Sequence, residues 1–302
     1  MNAKDFAAMR LFRIDRELTL DKLESAVQAR PPVDLLPLQA QGHGFTHLAE
    51  VVPGVFHLEM LTQERLLPKK VIKPVVAQQA TEFEKLNGHK PGRKTLREIE
   101  EEVVAAMLPK APVFEFKTHA LIYGKSIIVG AGSMNKCKVL LDHLVHALFA
   151  ASEEKEPQLR YLPVAVNADI PATFSCWIDS KGDIFLEGID SPDGAYLPDR
   201  LSLGSSFKSK GAESEAGQSS VISGKGVDLS DSKIERIIER VTELELIYDE
   251  VPFRLTDEFV VKGMKYPASK LDDPDSNAFV ISTHVTSLWA ELLEAFGGEK
   301  CN

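Results

Sequence analysis

Cysteine is scarce in this chain of 302 residues, where Cys137, Cys176 and Cys301 lie far apart and are odd in number. A disulfide framework needs paired cysteines, so the pattern predicts a protein of the reducing cytoplasm. No apolar run approaches the roughly 18 residues that a membrane helix requires. The start, MNAKDFAAMRLFRIDREL, lacks the uninterrupted apolar core of a secretion signal. We therefore predict a cytoplasmic protein with no membrane partner.

Motifs for nucleotide chemistry are incomplete. The segment GHKPGRKT (88–95) resembles a P-loop, but three residues separate its glycines where that loop has four. An arginine also stands between the second glycine and the lysine, so the amides cannot curl around phosphates in the required way. The segment IIVGAGSMNK (127–136) has Asn135 where a dinucleotide-binding turn has its third glycine. These departures argue against nucleotide hydrolysis and dinucleotide binding.

Constellations for catalysis and metal binding are absent as well. Two histidine pairs are close in sequence, His43 with His47 and His143 with His146, but a metal site needs three or four converging ligands. No Gly-x-Ser-x-Gly elbow for a nucleophile occurs. We therefore predict that the protein is not an enzyme and uses no metal or organic cofactor.

Charge is distributed unevenly along the chain. The formal net charge is -10, yet residues 61–140 hold 14 Lys and Arg against 8 Asp and Glu. The composition is otherwise typical of a soluble globular protein, with 44% hydrophobic and 26% charged residues. Local potential decides where an anion docks, so an acidic protein can still carry a focused basic surface.

Hydrophobic periodicity predicts an α+β fold of mostly antiparallel sheets with flanking helices and an inserted helical hairpin. We expect a central α+β domain at residues 1–73 and 113–165, the hairpin at 74–112, and a C-terminal α+β domain at 166–302. The Gly/Ser/Lys/Glu-rich stretch 203–226 predicts a mobile loop. Within the C-terminal domain, TFSCWI (173–178) and GDIFLEGI (182–189) predict strands, and a helix is expected near 230–244.

Two amphipathic helices predict the hairpin. Pro74 suits the first turn of the first helix, and Asn87 with Gly88 suits its end. Thr95, with Glu98 three residues later, predicts a capping box at the start of the second helix. The predicted tip is therefore the basic loop GHKPGRK.

Basic residues mark both ends of this hairpin. Arg93 and Lys94 directly precede the predicted start of a helix, whose free amides favour a phosphate. No module for recognising bases accompanies them, so such a surface would follow the nucleic-acid backbone rather than its sequence. The alternative is that this basic loop is simply exposed to solvent and binds nothing, because charge clusters are often ordinary protein surface. Charge and location add Lys69, Lys70, Arg97 and Lys117 as candidate DNA contacts.

Four blocks carry a resemblance to a known family: LLPKKVIKPVV (66–76), GRKTLREIEEEVVAAMLPKAP (92–112), SIIVGAGSMNKCKVLLDHL (126–144) and NAFVISTHVTSLWAELLEAFGGE (277–299). In order and separation they resemble the recombination-associated protein RdgC of bacteria, over most of the chain. The resemblance implies a ring-shaped homodimer with a positively lined hole that binds DNA largely without sequence preference and restrains RecA-promoted strand exchange. The resemblance also implies that the protein is not an enzyme. It assigns DNA contact to Lys73, Lys90, Arg93, Lys94 and Lys110.

The chain departs from the family pattern in three places. LPLQAQGHGF (36–45) stands where family members have Gly-Trp-Val-Pro-Pro, and Lys225 alone represents a lysine-rich segment. Pro112 replaces an aromatic residue linked to the subunit contact that closes the ring. We expect Val113 and Phe114 to take its place, which makes these three residues the predicted dimer interface.

The sequence thus predicts a nucleoid-associated protein whose partners are duplex DNA and a second copy of itself, and which opposes RecA filaments. Two alternatives stay open. A module that contacts a recombination factor directly is favoured by the 203–226 stretch, and its inhibition would survive charge reversal of the tip loop. A nucleotide hydrolase would show turnover that Lys94→Ala abolishes.

Overall fold

The computed structural model describes residues 1–152, 158–179, 196–210, 240–266 and 274–300. Within these ranges there are ten strands: β1 Ala8–Ile14, β2 Gln41–Val52, β3 Val55–Arg65, β4 Val113–Tyr123, β5 Ser126–Val129, β6 Tyr161–Pro163, β7 Leu201–Lys210, β8 Arg240–Tyr248, β9 Val251–Thr256 and β10 Val261–Lys262. The α-helices are α1 Leu20–Ala29, α2 Lys69–Asn87, α3 Arg93–Met107, α4 Met134–Ala151, α5 Ile170–Asp179 and α6 Pro274–Ala295. Short 3-10 helices lie at Ala3–Phe6 and Leu108–Lys110. The predicted α+β class is confirmed.

The strands join into one antiparallel sheet in the order β2-β3-β4-β5-β1-β10-β9-β8-β7, and β6 pairs with the end of β1. β1 connects the two halves, because Met9 pairs with β10 and the residues after it pair with β5. The sheet therefore continues across the boundary expected at residue 165. The division into three units stays a prediction.

Both faces of β1 pack against apolar cores, and the apolar residues of its sequence MRLFRI divide between them. Met9 and Leu11 face a core formed with α5 and α6, whereas Phe12 and Ile14 face a second core formed with α1 and α4. Trp289 of α6 fixes the first contact, since its indole Nε1 donates to the sulfur of Met9 at 3.3 Å. The alternation in residues 9–14 predicts a strand, and the strand is confirmed, with apolar residues buried on both of its faces.

α4 closes the second core with one apolar stripe. Cys137, Leu140, Leu141 and Leu144 are buried, and they recur at the three- and four-residue spacing of one helix face. The sequence predicts that residues 137, 140, 141, 144 and 148 share a face, and this stripe is confirmed, with Leu148 partly buried. The Cys137 thiol donates to the carbonyl of Ala131, and burial raises its pKa to about 11, so it stays a thiol.

A pair of buried histidines lies on the sheet face that carries the first core. His57 of β3 and His119 of β4 stack with ring centroids 5.3 Å apart, and Nε2 of His57 lies 3.1 Å from Nδ1 of His119. Asp5 lies 3.4 Å from the far nitrogen of His119. Burial first, and then the neighbouring His119, lower the pKa of His57 to about 3. Burial also lowers the pKa of His119.

This pair predicts acid sensitivity. In the unfolded chain a histidine takes up a proton near pH 6.5, whereas folded His57 does so only near pH 3. Between those values the unfolded state binds more protons, so the free energy of unfolding decreases as the pH is lowered. The limiting slope is about 1.4 kcal/mol per pH unit for each such histidine. In urea unfolding, His57→Phe should remove about 0.9 proton from that slope at pH 5.5, about 0.5 at pH 6.5 and about 0.1 at pH 7.5.

The matched control is His146→Phe, because His146 is exposed on α4. This variant should keep the wild-type slope. Equal slopes in wild type and His57→Phe would contradict the assignment.

Residues 173–178, predicted as a strand, lie in helix α5 instead. Asp169 caps this helix, because its carboxylate accepts the backbone N–H of Ala172 at 2.9 Å. Pro171 occupies the first turn, where its missing N–H leaves no helical bond unmade. Trp177 is buried on the inner face. The prediction was wrong because aromatic and β-branched composition was given more weight than these start signals.

The predicted mobile loop at 203–226 begins with a strand, since residues 203–210 belong to β7. Glu245 of β8 accepts the backbone N–H of Ser205 at 3.0 Å and the hydroxyl of Ser206 at 2.9 Å. A Cβ at Gly204 would lie 2.4 Å from the Glu245 side chain, so the small residues permit this approach. For residues 203–210 the prediction was wrong, because Leu203 and Phe207 pair with β8 and Glu245 holds the irregular segment between them. Residues 211–226 lie outside the described ranges.

Two further predictions fall wholly or partly outside these ranges. The strand expected at 182–189 is not among the described residues. Of the helix expected near 230–244, residues 240–244 belong to β8, so the prediction is wrong there. Val241 and Leu244 enter the first core and pair with β7, which holds this segment in the sheet.

Candidate nucleic-acid interface

The helical hairpin is held together by a small core of its own. Ile72 of α2 packs against Ile99 and Val103 of α3, and all three are buried. Half-buried Val76 and Phe83 extend this contact along α2. The apolar residues recur every three or four positions, which is the spacing that brings two helices together. The predicted helical pair is confirmed.

Both helices begin earlier than the sequence predicts. α2 begins at Lys69 after Pro68, so Pro74 lies inside it and leaves the carbonyl of Lys70 without its helical donor. α3 begins at Arg93, and the N–H of Leu96 donates to the carbonyl of Gly92 at 2.9 Å. The capping box expected at Thr95 is therefore not formed. The reason is that lysine and arginine are good helix formers and extend each first turn.

The hairpin loop closes as the sequence predicts. Gly88 ends α2 with a φ of 72°, a left-handed conformation that glycine adopts without strain. Its N–H donates to the carbonyl of Glu84 at 2.9 Å, and the side chain of Asn87 donates to the carbonyl of Phe83 at 3.0 Å. His89 packs edge-on against Phe83, with ring centroids 5.8 Å apart. The tip loop is thus anchored to the end of α2.

The two helix N-termini share an unusual electrostatic arrangement. Neither has a side-chain cap or an acidic residue in its first turn, and each starts with a basic pair, Lys69-Lys70 or Arg93-Lys94. The free amides of a helix start already carry partial positive charge. Each added cation there costs about 0.3–1 kcal/mol unless an anion accompanies it. Both ends of the hairpin therefore present sites suited to a phosphate.

The hairpin separates the nine predicted contact residues into groups, and all nine are exposed. We call Lys90, Arg93 and Lys94 the tip cluster. We call Lys69, Lys70, Lys73 and Lys110 the base cluster, because they lie where α2 begins and where the chain leaves α3. A helix of 19 residues is about 28 Å long at about 1.5 Å per residue, which sets the distance between the clusters.

Counter-charges distinguish these cations. Lys94 lies 3.9 Å from Glu98 and Arg97 lies 3.0 Å from Glu101, in exposed pairs of the weak kind. Within the described ranges, Lys90, Arg93 and the base cluster have no ion-pair partner.

Lys117 differs from the other eight residues. It lies on β4 and contacts Glu59 at 2.8 Å. Burial alone would raise the pKa of Glu59, but hydrogen bonds from Lys117 and Thr46 lower it below its usual range. Because a carboxylate neutralises it locally, Lys117 is the predicted residue least suited to a phosphate.

The predicted dimer-interface residues open strand β4 at the base of the hairpin. Val113 and Phe114 are exposed, and they pair with Arg65 and the residue before it on β3. Pro112 is also exposed, and its carbonyl accepts the N–H of Leu66 at 3.2 Å. The three residues are consecutive and exposed, with Val113 and Phe114 on opposite faces of β4, and their role in an interface stays a prediction.

Arg65 fixes the hairpin base, a role that the sequence does not predict. Its Nη1 donates to the carbonyls of Pro109 at 3.3 Å and Ala111 at 3.2 Å. Its Nη2 donates to the carbonyl of Leu35 at 3.4 Å. One guanidinium thus joins the end of β3, the exit of α3 and the segment before β2. An arginine at the end of a strand gives no sequence signal for such contacts.

Two searches for other sites are negative within the part of the chain that the structure describes. No three His, Cys, Asp or Glu side chains there lie close enough together to hold a metal ion. None of the described helices combines the length and apolarity needed to cross a bilayer.

Comparison with known proteins is consistent along the chain. A family model described as "Putative exonuclease, RdgC" matches residues 6–299. A Cupriavidus necator protein named recombination-associated protein RdgC is 26% identical over 307 residues, which cover 94% of each chain. Proteins of the same name from Pseudomonas aeruginosa and Bordetella pertussis are 23% and 27% identical, covering 98% and 84% of this chain and 98% and 82% of their own. The word exonuclease occurs in the family description and not in these protein names.

Proposed function

Because this chain belongs to the RdgC family, a family with a role in recombination, we propose that it binds duplex DNA through backbone phosphates and thereby hinders RecA-dependent strand exchange. The observation that carries this proposal is the pair of uncapped helix N-termini on one hairpin, each beginning with two exposed cations. Phosphates are the ligands that such helix starts favour. Each phosphate neutralised also releases counterions from DNA.

The spacing of the two clusters suits a duplex that lies along the hairpin. About 28 Å separates the ends of α2, which is less than the 34–36 Å of one helical turn of B-DNA. Both clusters would therefore contact phosphates within one turn. Lysine supplies a point charge and no fixed fork, so these contacts follow the backbone and do not select bases.

The overall acidity of the chain supports the same function. With a net charge of -10, most of the surface repels DNA, and a positive hairpin then fixes where DNA binds. We propose that two copies associate through the surface at Pro112, Val113 and Phe114 and enclose the duplex in a ring. Duplex DNA that the protein occupies is then inaccessible to a recombinase filament in the nucleoid. The protein catalyses no step of its own in this account.

RecA-promoted strand exchange between circular single strands and linear duplex tests this function. Wild type, bound to the duplex first, should reduce joint-molecule formation in proportion to the duplex occupied. The Lys90/Arg93/Lys94→Glu variant should leave exchange uninhibited, and excess unrelated duplex should relieve the inhibition by wild type. Full inhibition by the variant would instead favour direct contact with the recombinase.

A further inference from the structure

Exposed apolar side chains concentrate around the hairpin. Nine of the thirteen large exposed hydrophobic residues in the described ranges lie between Val33 and Leu38 or between Leu66 and Phe114. Leu36 and Leu38 are each 68% exposed. Scattered single residues of this kind need no explanation, but a contiguous apolar surface marks an interaction site.

Part of this surface is a groove of about 480 Å³ between α3 and the segment before β2. Val104, Ala105 and Leu108 form its floor, and Leu38 forms the opposite wall. The α3 residues recur at the spacing of one helix face, and Val104 among them also packs against the hairpin core. The groove therefore adjoins the hairpin core at Val104 and extends beyond it along α3.

The wall of the groove is held by hydrogen bonds, so the groove exists before anything binds. The N–H of Gln39 donates to the carbonyl of Leu36 at 2.9 Å, and the N–H of Arg65 donates to the carbonyl of Ala40 at 2.8 Å. The backbone of Pro32 approaches Gly44 of β2 so closely that a Cβ there would lie 2.3 Å from it. A preformed groove binds without the entropy cost of ordering its own wall.

The rim of the groove is acidic. Glu100 and Glu101 line it, and Glu98 and Glu102 are exposed on the adjoining turns of α3. Arg97 is the one cation that lines it, and this arginine pairs with Glu101 at 3.0 Å. Acidic charge around an apolar floor disfavours DNA and favours a cationic partner.

We propose that this groove binds an amphipathic helix of a partner protein, with aliphatic residues at i, i+3, i+4 and i+7 and Lys or Arg at its flanks. From Arg97 to Leu108 the groove runs for about 16 Å, which accommodates about three turns of a helix. Aliphatic anchors would fill the floor, as in other helix-in-groove complexes. The basic flanks would lie against Glu100 and Glu101.

A second copy of the chain is the less suitable occupant. A two-fold interface would bring the same patch against itself, so four glutamates from the two rims would meet only two copies of Arg97. Like charges in such a contact oppose association. The proposed site is separate from the tip cluster. Experiments can therefore contradict the helix-binding proposal without contradicting the DNA-binding proposal, or contradict the DNA-binding proposal alone.

Three fluorescein-labelled 15-residue peptides test the proposal in anisotropy titrations with the full-length protein. The first has leucine anchors and Lys/Arg flanks, the second has the same anchors with Glu flanks, and the third has serine in place of leucine. We expect the first to bind with a dissociation constant of some tens of micromolar, near -6 kcal/mol, and the other two at least about tenfold more weakly.

Variants then locate the binding. Ala105→Lys places a long side chain on the exposed floor of the groove, and Glu100→Lys/Glu101→Lys reverses the charge of its rim. Each should weaken the first peptide at least about tenfold, whereas duplex affinity should rise rather than fall, because both variants add positive charge to the hairpin. The Lys90/Arg93/Lys94→Glu variant should bind the peptide as wild type does.

Three outcomes would overturn the proposal. Equal binding of the Lys/Arg- and Glu-flanked peptides would exclude the charged rim as a determinant. Absence of binding by all three would exclude a helix site. A change of oligomeric state in Ala105→Lys, seen by sedimentation velocity without peptide binding by wild type, would assign the groove to a second copy of the chain.

Discussion

Replacing Lys90, Arg93 and Lys94 together with glutamate is expected to lower the affinity for a 30-base-pair duplex by about 100-fold or more at 0.1 M salt. Each phosphate that a cation neutralises contributes close to tenfold at that concentration, through the counterions it releases. The three side chains are exposed at the hairpin tip, beside an uncapped helix start. Reversal would also place three carboxylates where phosphates are proposed to lie. Fluorescence anisotropy of labelled duplex measures the change.

The matched control carries the same change of charge elsewhere. Lys4, Lys125 and Lys138 are exposed and lie outside the hairpin, so their joint replacement by glutamate alters the net charge equally. This control should lose less than about tenfold in affinity, because only the long-range field changes. If both triple variants lose the same affinity, net charge rather than the tip cluster governs binding.

Ile99→Ala is expected to open the hairpin while the sheet stays folded. The hairpin core has three buried residues, Ile72, Ile99 and Val103, and the apolar side chains around them are only partly buried, so this core is small. Removal of a buried isoleucine costs about 2–5 kcal/mol, which exceeds what so small a core can lose. Amide hydrogen exchange should accelerate across α2 and α3, and duplex affinity should fall because the two clusters lose their fixed spacing.

Tryptophan fluorescence separates local from global effects in this variant. Trp177 and Trp289 both lie in the first core, away from the hairpin, so the urea midpoint that they report should stay near that of wild type. Leu96→Ala is the matched control, since Leu96 is 37% exposed and leaves a smaller cavity. A large fall in the tryptophan midpoint of Ile99→Ala would show that hairpin and sheet unfold as one unit.

Local sequence signals predicted much of this architecture. The spacing of Ile99 and Val103, the stop at Gly88 and the stripe from Cys137 to Leu144 all describe contacts within a few turns of chain. Such periodicities need only the geometry of one helix. The alternation in MRLFRI (9–14) predicts a strand in the same local way.

Long-range contacts explain most of what the sequence did not predict. Nothing near Met9 indicates that β1 pairs with β10, more than 250 residues away, to join two half-sheets. Arg65 acquires its role only when three distant segments meet. The acidic groove likewise needs Leu38 brought against α3. Local sequence patterns do not indicate which distant segments come into contact.

Competing local signals explain the remaining errors. Pro68 and Pro74 are both compatible with a helix start, and the earlier one marks it. Residues 173–178 carry strand composition behind helix start signals at Asp169 and Pro171, and the start signals prevail. The basic pairs at both helix starts were visible in sequence, but their lack of caps depended on where each helix begins.

Duplex affinity across a salt series, measured with two unrelated sequences for wild type and the Lys90/Arg93/Lys94→Glu variant, tests the central claim most directly. We expect both sequences to bind wild type equally, with log affinity falling by about 0.9 per phosphate for each tenfold rise in salt. The variant should show a slope shallower by about 2 to 3 units, one for each cation removed. A slope that is unchanged in the variant, or a strong preference for one sequence, would contradict backbone binding at the hairpin tip.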